Sequence, residues 1–251
     1  MKSMLGIVIS ILMLSLVQFG CKGGDGPTGP QGPAGPVLTG NVIGRIVLTN
    51  EDGTSPSNKS GVSVTVEGSS ISATTDSTGK YTLVGLTTGV YNISYAKSGY
   101  GSTKQPLFQF VGGGAANAGS IYLDQIPGFG ISTATAVQAA PNVTLSGTIS
   151  NSAPYYRYIL ILIGKVNPTN TDPSSYQFVY SAYVSSSTTT FSTTLYQSYL
   201  TSAGFVSGDT LHITVYSYGS NFNSYYYDPS TQQYVFNAVG AVSKTVTVVM
   251  P

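Results

Sequence analysis

Residues 61–67 read Gly-Val-Ser-Val-Thr-Val-Glu, in which Val62, Val64 and Val66 alternate with Ser63, Thr65 and Glu67. Only an extended strand sends residues of period two to opposite faces, so this stretch has one aliphatic and one hydroxylated or charged side, and the aliphatic side must be buried. Short runs of the same kind recur along the chain, separated by turn residues at regular spacing, which is the pattern of stacked β-sheets. The surface such sheets would present is unusual. Charged residues make up 8% of the chain, against roughly 25% in ordinary soluble domains. Ser and Thr fill about a quarter of the positions, and Tyr contributes 19 residues where Trp contributes none. A chain of 251 residues has room for one large or two small domains.

Several functions are excluded by the same composition. The net charge is +1 and no basic run could neutralise successive phosphates, so nucleic acid is not an expected partner. With one Cys, one His and two Glu, the chain lacks the parts of most catalytic or metal sites, and neither enzyme activity, cofactor nor metal is expected.

Residues 1–20 read as a signal peptide, with Lys2 as the positive region and an apolar stretch from Met4 to Val17. That stretch is shorter than the roughly 20 residues needed to span a bilayer. Its end, Gly20-Cys21, resembles a bacterial lipoprotein signal, although Gln18 stands where an aliphatic residue is usual. The resemblance implies a lipidated Cys21 as the mature N-terminus, with acyl chains such as palmitate holding the protein on a membrane. The competing reading of Cys21 is a spare thiol, which secreted proteins seldom carry. Lys22 is compatible with outer-membrane sorting. Residues 21–39 then form a collagen-like spacer, with Gly at 23, 26, 29, 32 and 35 and Pro at 27, 30, 33 and 36. Five Gly-X-Y triplets are too few to hold a triple helix together, so the segment reads as a polyproline II rod reaching about 45 Å.

Residues 40–125 read as a seven-stranded β-sandwich. Within it, Asp76 and Gly79 are placed to make a tight turn, the carboxylate capping backbone amides and the glycine taking a positive φ. The order Gly44-Arg45-Ile46-Val47, Gly61 to Val66, Thr75-Asp76 with Gly79 and Tyr81, Gly85-Leu86, Gly89, Tyr91 and Lys97-Ser98-Gly99-Tyr100 resembles the carboxypeptidase regulatory-like domain. The resemblance implies a transthyretin-like or carbohydrate-binding-like sandwich without catalytic groups, in which Tyr81 and Tyr91 pack at the ends of the Asp76 turn. A calcium site at Asp76 would need companion carboxylates that are missing nearby. An internal Lys–Asn isopeptide bond, formed in related pilin and adhesin sandwiches, is disfavoured because Arg45 stands where the lysine would be and cannot give up its proton.

Residues 126–251 read as a second sandwich, immunoglobulin-like or fibronectin-like, entered through a linker at about 125–138 rich in Gly, Pro, Ala and Thr. Ile159, Ile161 and Ile163 alternate with Leu160 and Leu162, so that strand is apolar on both faces and should be central. His212 shares a face with Thr210 and Thr214 and reads as a surface or edge residue rather than a catalytic base. Fourteen of the 19 tyrosines lie beyond residue 150, and the run Tyr225, Tyr226 and Tyr227 cannot all face one side of a strand. These three are the candidate ligand-binding residues, because tyrosine offers a rigid ring with a polar tip for sugars or protein surfaces. The plainer reading is that a low-charge β protein uses Tyr as its large strand residue.

The expectation is therefore an all-β chain of two tandem sandwiches, held at a bacterial outer membrane or cell surface through lipidated Cys21. It would serve adhesion or assembly without catalysis. A carbohydrate-binding surface lipoprotein and a fimbrial or filament subunit are the alternatives, with polysaccharide or another surface protein as partner. For the last, the apolar C-terminal strand from Val242 to Met250 could pair with a neighbouring subunit, although pairing within the chain is the favoured reading.

Overall fold

The computed structural model describes residues 35–166, 173–220 and 225–251. The signal segment 1–20, Cys21 and the spacer up to residue 34 lie outside the described residues. The first seven strands are β1 (Thr39–Thr49), β2 (Ser63–Val66), β3 (Ser72–Thr74), β4 (Lys80–Thr87), β5 (Gly89–Ala96), β6 (Thr103–Phe110) and β7 (Ala115–Asp124). They form two facing sheets, ordered β4-β1-β7 and β3-β2-β5-β6. β1 is antiparallel to β4 and parallel to β7. The alternation at Val62, Val64 and Val66 has the consequence expected of it. All three side chains are closed to solvent and pack with Val42, Ile46, Leu48, Leu83, Leu86 and Ile93 between the sheets. Burial of each contributes about 1.5–3 kcal/mol.

The turn between β3 and β4 is built by Asp76, whose Oδ1 accepts hydrogen bonds from the Thr78 amide (2.8 Å), the Thr78 hydroxyl (2.8 Å) and the Lys80 amide (3.0 Å). The Thr78 hydroxyl, then the backbone amides, hold its carboxyl below the usual carboxylate range. Gly79 lies at φ +85°, and a Cβ there would run into the Ile46 carbonyl. The two tyrosines expected at the ends of this turn lie elsewhere. Tyr81 points into the core, its ring laid against Gly44, where a Cβ would stand 2.6 Å from Cζ. Its hydroxyl meets that of Tyr95 (3.1 Å), which donates on to Gln105 Oε1 (3.0 Å). Tyr91 closes the β4–β5 connection instead, donating to the Thr87 carbonyl (2.9 Å). Arg45 is exposed on β1.

The second set comprises β8 (Ile131–Ala139), β9 (Asn142–Ile149), β10 (Arg157–Gly164), β11 (Phe178–Val184), β12 (Thr190–Leu195), the short helix α1 (Gln197–Ser202), β13 (Thr210–Tyr218), β14 (Tyr225–Asp228), β15 (Gln233–Phe236) and β16 (Val239–Val249). The sheets are β12-β9-β8 and β11-β10-β13-β16, with β14–β15 a separate hairpin. The chain is thus all-β, two β-sandwiches in tandem. β8 corrects the linker reading of 125–138: from Ile131 to Ala139 the chain is a strand antiparallel to β9, with a register shift at Ser132. Its side chains are short and mostly exposed, so its period carries little hydrophobic contrast.

β10 is central, between β11 and β13. Ile159, Ile161 and Ile163 face the inter-sheet core with Val143, Leu145, Leu211 and Ile213. Leu160 and Leu162 face the other way and are covered by Tyr176, Tyr216, Tyr218 and Phe236. β13 is itself an inner strand, which corrects the edge reading of His212: it sits half-buried between Gly164 of β10 and Thr247 of β16. Its neighbour on the same face, Thr214, is buried and hydrogen-bonded to Thr245 (2.9 Å). β16 pairs with β13 of its own chain.

The two sandwiches meet where glycines let backbones approach. A Cβ on Gly101 would stand 2.8 Å from the Cβ of Ala238, and one on Gly219 would stand 2.5 Å from that of Asp124. Across the same seam the Ser220 hydroxyl donates to the Asn50 carbonyl (2.9 Å), and the Gly128 amide donates to Glu51 Oε2 (2.8 Å). Among the described residues no helix is long and apolar enough to cross a membrane.

Candidate functional site

The tyrosine run folds as one arm of a hairpin because Asp228 turns the chain. Its Oδ1 accepts from the Ser230 hydroxyl (2.6 Å) and amide (2.9 Å), and Gln232 takes a positive φ of 56°. The register pairs Tyr225 with Phe236, Tyr226 with Val235 and Tyr227 with Tyr234. Because neighbours along a strand alternate, Tyr225, Tyr227, Tyr234 and Phe236 share one face, and Tyr226 points to the other. On the shared face the rings touch in series. Tyr218 meets Phe236 at 5.8 Å, Phe236 meets Tyr225 at 5.9 Å, Tyr225 meets Tyr234 at 5.3 Å and Tyr234 meets Tyr227 at 5.4 Å, mostly edge to face. Such contacts each contribute about 0.5–1.5 kcal/mol beyond simple burial. The series runs from a buried ring to open ones: Tyr218 is 1% exposed, while Tyr225, Tyr227 and Tyr234 are 42%, 44% and 49% exposed.

The hairpin is fixed to both sandwiches. Phe236 is buried among the residues covering Leu160 and Leu162. The Tyr176 hydroxyl donates to the Tyr234 carbonyl. From the first sandwich, the Thr103 hydroxyl of β6 donates to the Tyr225 carbonyl (3.0 Å). β6 is the last strand of its sheet and carries an irregularity opposite Asn92, where Pro106 and Leu107 fall between the pairs Tyr91–Phe108 and Ile93–Gln105. Leu107 has a φ of +54°, its amide donates to Asn92 Oδ1 (3.1 Å), and its side chain is exposed. This is a β-bulge on an edge.

Between β6, β7 and the hairpin lies an open groove of about 740 Å³, with Lys104, Gln105, Pro106, Leu107 and Tyr122 on one side and Tyr225, Tyr226, Tyr227 and Tyr234 on the other. Among the described residues, Lys104 is the one charged residue lining it. Its ammonium bonds Glu67 (2.9 Å) and lies 5.9 Å from the centre of the Tyr226 ring. The Glu67 carboxylate is the main reason the Lys104 ammonium is held above its usual range. The Ser230 hydroxyl and amide lower the Asp228 carboxyl. Among the described residues the hydroxyls of Tyr122, Tyr225, Tyr227 and Tyr234 take no hydrogen-bond partner.

Of the residues singled out in the sequence, Tyr225, Tyr226 and Tyr227 all line this groove, Asp76 and Gly79 form the β3–β4 turn, and Cys21 lies outside the described residues. Tyr234 carried a signal, since a hairpin register places it beside Tyr227. The wall supplied by β6 and β7 carried none, because it lies some hundred residues earlier in the chain. Among the described residues no three His, Cys, Asp or Glu side chains come together to hold a metal ion.

Residues 43–124 match the family described as the carboxypeptidase regulatory-like domain, so the segment from Ile43 in β1 to the end of β7 carries that domain. Among curated proteins none matches the chain. Solved structures give fold likenesses. A type II cohesin–X-dockerin complex from Acetivibrio cellulolyticus is similar at 23% identity over 35% of this chain and 61% of that one, with a TM-score of 0.29. A Bacteroides uniformis protein provisionally described as carbohydrate binding is 8% identical over 84% of this chain and 100% of its own, TM-score 0.29. The major pilin subunit of Bacillus cereus is 11% identical over 84% of this chain and 69% of its own, TM-score 0.29.

Proposed function

We propose that this chain is a non-catalytic, lipid-anchored protein of a bacterial cell envelope whose two docked sandwiches present a binding groove for adhesion. The observation that supports it is the origin of the groove's walls: β6 and β7 come from the first sandwich, and the tyrosine hairpin comes from the second. Neither sandwich has that recess alone. A site spanning a seam is where ligand recognition commonly sits in multi-module proteins. The residues on it suit binding rather than bond-breaking, being aromatic rings, hydroxyls and one lysine already engaged by Glu67. Lipidation at Cys21 would carry the groove to the envelope surface, with the residues between Cys21 and β1 as the spacer.

Fractionation of cells producing the full chain and its Cys21→Ser form tests the anchor. The wild-type protein should sediment with membranes and the variant should move to the soluble fraction. Equal membrane retention of both would overturn lipid anchoring.

A further inference from the structure

We propose that the groove between β6, β7 and the β14–β15 hairpin binds an uncharged polysaccharide chain. This assignment rests on the adhesion reading of the same groove and names the class of ligand. Three observations carry it: the first two each remove a competitor, and the third matches the walls to the ligand.

Charge comes first. Among the described residues, Lys104 is the one charged group lining the recess, and it is paired with Glu67 at 2.9 Å. Asp228 nearby is turned back on Ser230. An anionic or cationic ligand would have to give up hydration without gaining an unpaired counter-charge, a net cost. A neutral ligand meets no such cost.

Backbone comes second. A peptide that joined the sheet at β6 would need a row of free amides and carbonyls along that edge. Pro106 has no amide, the Leu107 amide is spent on Asn92, and the bulge bends the strand there. Strand addition is blocked at the part of β6 that lines the groove.

The third is what the walls offer. Tyr225, Tyr227 and Tyr234 form a connected, half-exposed ring series, with Tyr122 on the facing side. Their hydroxyls take no partner among the described residues. Sugar rings have apolar C–H faces and hydroxyl edges. Tyrosine matches both parts at once, its ring taking the face and its hydroxyl the edge, at small entropic cost. The open form of the recess suits a chain that passes through it.

The test uses the full chain in mild detergent. Its binding would be measured against a neutral glucan, mannan, xylan and galactan, and against the carboxymethylated form of each. At least one neutral polymer should bind, and its carboxymethylated form should bind more weakly. Tyr227→Ala/Tyr234→Ala should weaken that binding about tenfold or more. Tyr225→Phe/Tyr227→Phe keeps the ring series and should lose less, with circular dichroism confirming that both variants fold. Preference for the charged polymers would overturn the assignment, as would failure of every polymer to bind. A protein ligand lost in the tyrosine variants would also overturn it while leaving the groove an adhesion site. Polymer binding that neither variant changes would defeat both readings of the groove.

Discussion

Gly79 shows how one hydrogen atom in place of a side chain sets a local structure. Its φ of +85° lies where residues with a Cβ are strained, and the Ile46 carbonyl fills the space a Cβ would need. Gly79→Ala should therefore lower the unfolding free energy by roughly 1–3 kcal/mol, measurable as a reduced denaturation midpoint at unchanged slope. A loss below a few tenths of a kcal/mol would mean the turn simply moves. This turn was legible in the sequence, because Asp and Gly at that spacing specify it by their own chemistry. The placements of Tyr81 and Tyr91 were not. Whether a tyrosine on a strand points at the core or closes a connection depends on partners such as Gly44, Tyr95 and Thr87, which only the fold brings near.

Among the elements, the hairpin β14–β15 is the one whose attachment decides whether the groove exists. Its inner end is held by Phe236, and the Thr103 hydroxyl ties Tyr225 to β6. Removing that hydrogen bond by Thr103→Val should cost about 0.5–1.5 kcal/mol. The effect should be local: amide hydrogen exchange over 225–236 should quicken while the strands around Ile46 and Val64 keep their protection. Uniform quickening across the first sandwich would show that Thr103 supports its fold rather than the hairpin. Strands with a strong hydrophobic signal could be read from sequence, as the alternating Val62 to Val66 and the continuously apolar Ile159 to Ile163 were. β8 could not, since its alternating Ala and Thr resemble a linker until β9 lies beside it. The edge position of His212 failed for the same reason: alternation identified its face correctly but not that β10 and β16 pair on either side of its strand.

The whole molecule carries buried phenols in both sandwiches. Burial holds Tyr81 and Tyr95 in the first, and Tyr218 in the second, above the usual phenol range. Since the folded state keeps these protons where the unfolded chain releases them near pH 10, stability is unaffected by them below that value. Above it, each should cost up to about 1.4 kcal/mol per pH unit. Base titration followed by phenolate absorbance and circular dichroism should show these three ionising together with loss of the fold. Their ionisation while the sheets persist would contradict that burial.

The parallel pairing of β1 with β7 has a mechanical consequence. The start of β1, at Thr39, and the end of β7, at Asp124, lie at opposite ends of the pair, and Asp124 abuts the second sandwich at Gly219. Tension between residue 39 and a ligand gripped by the tyrosine hairpin would run lengthwise along these two strands. Their hydrogen bonds would be loaded in shear, many at once, instead of being unzipped one after another. Such a joint yields late, as the anchored adhesion proposed above would require.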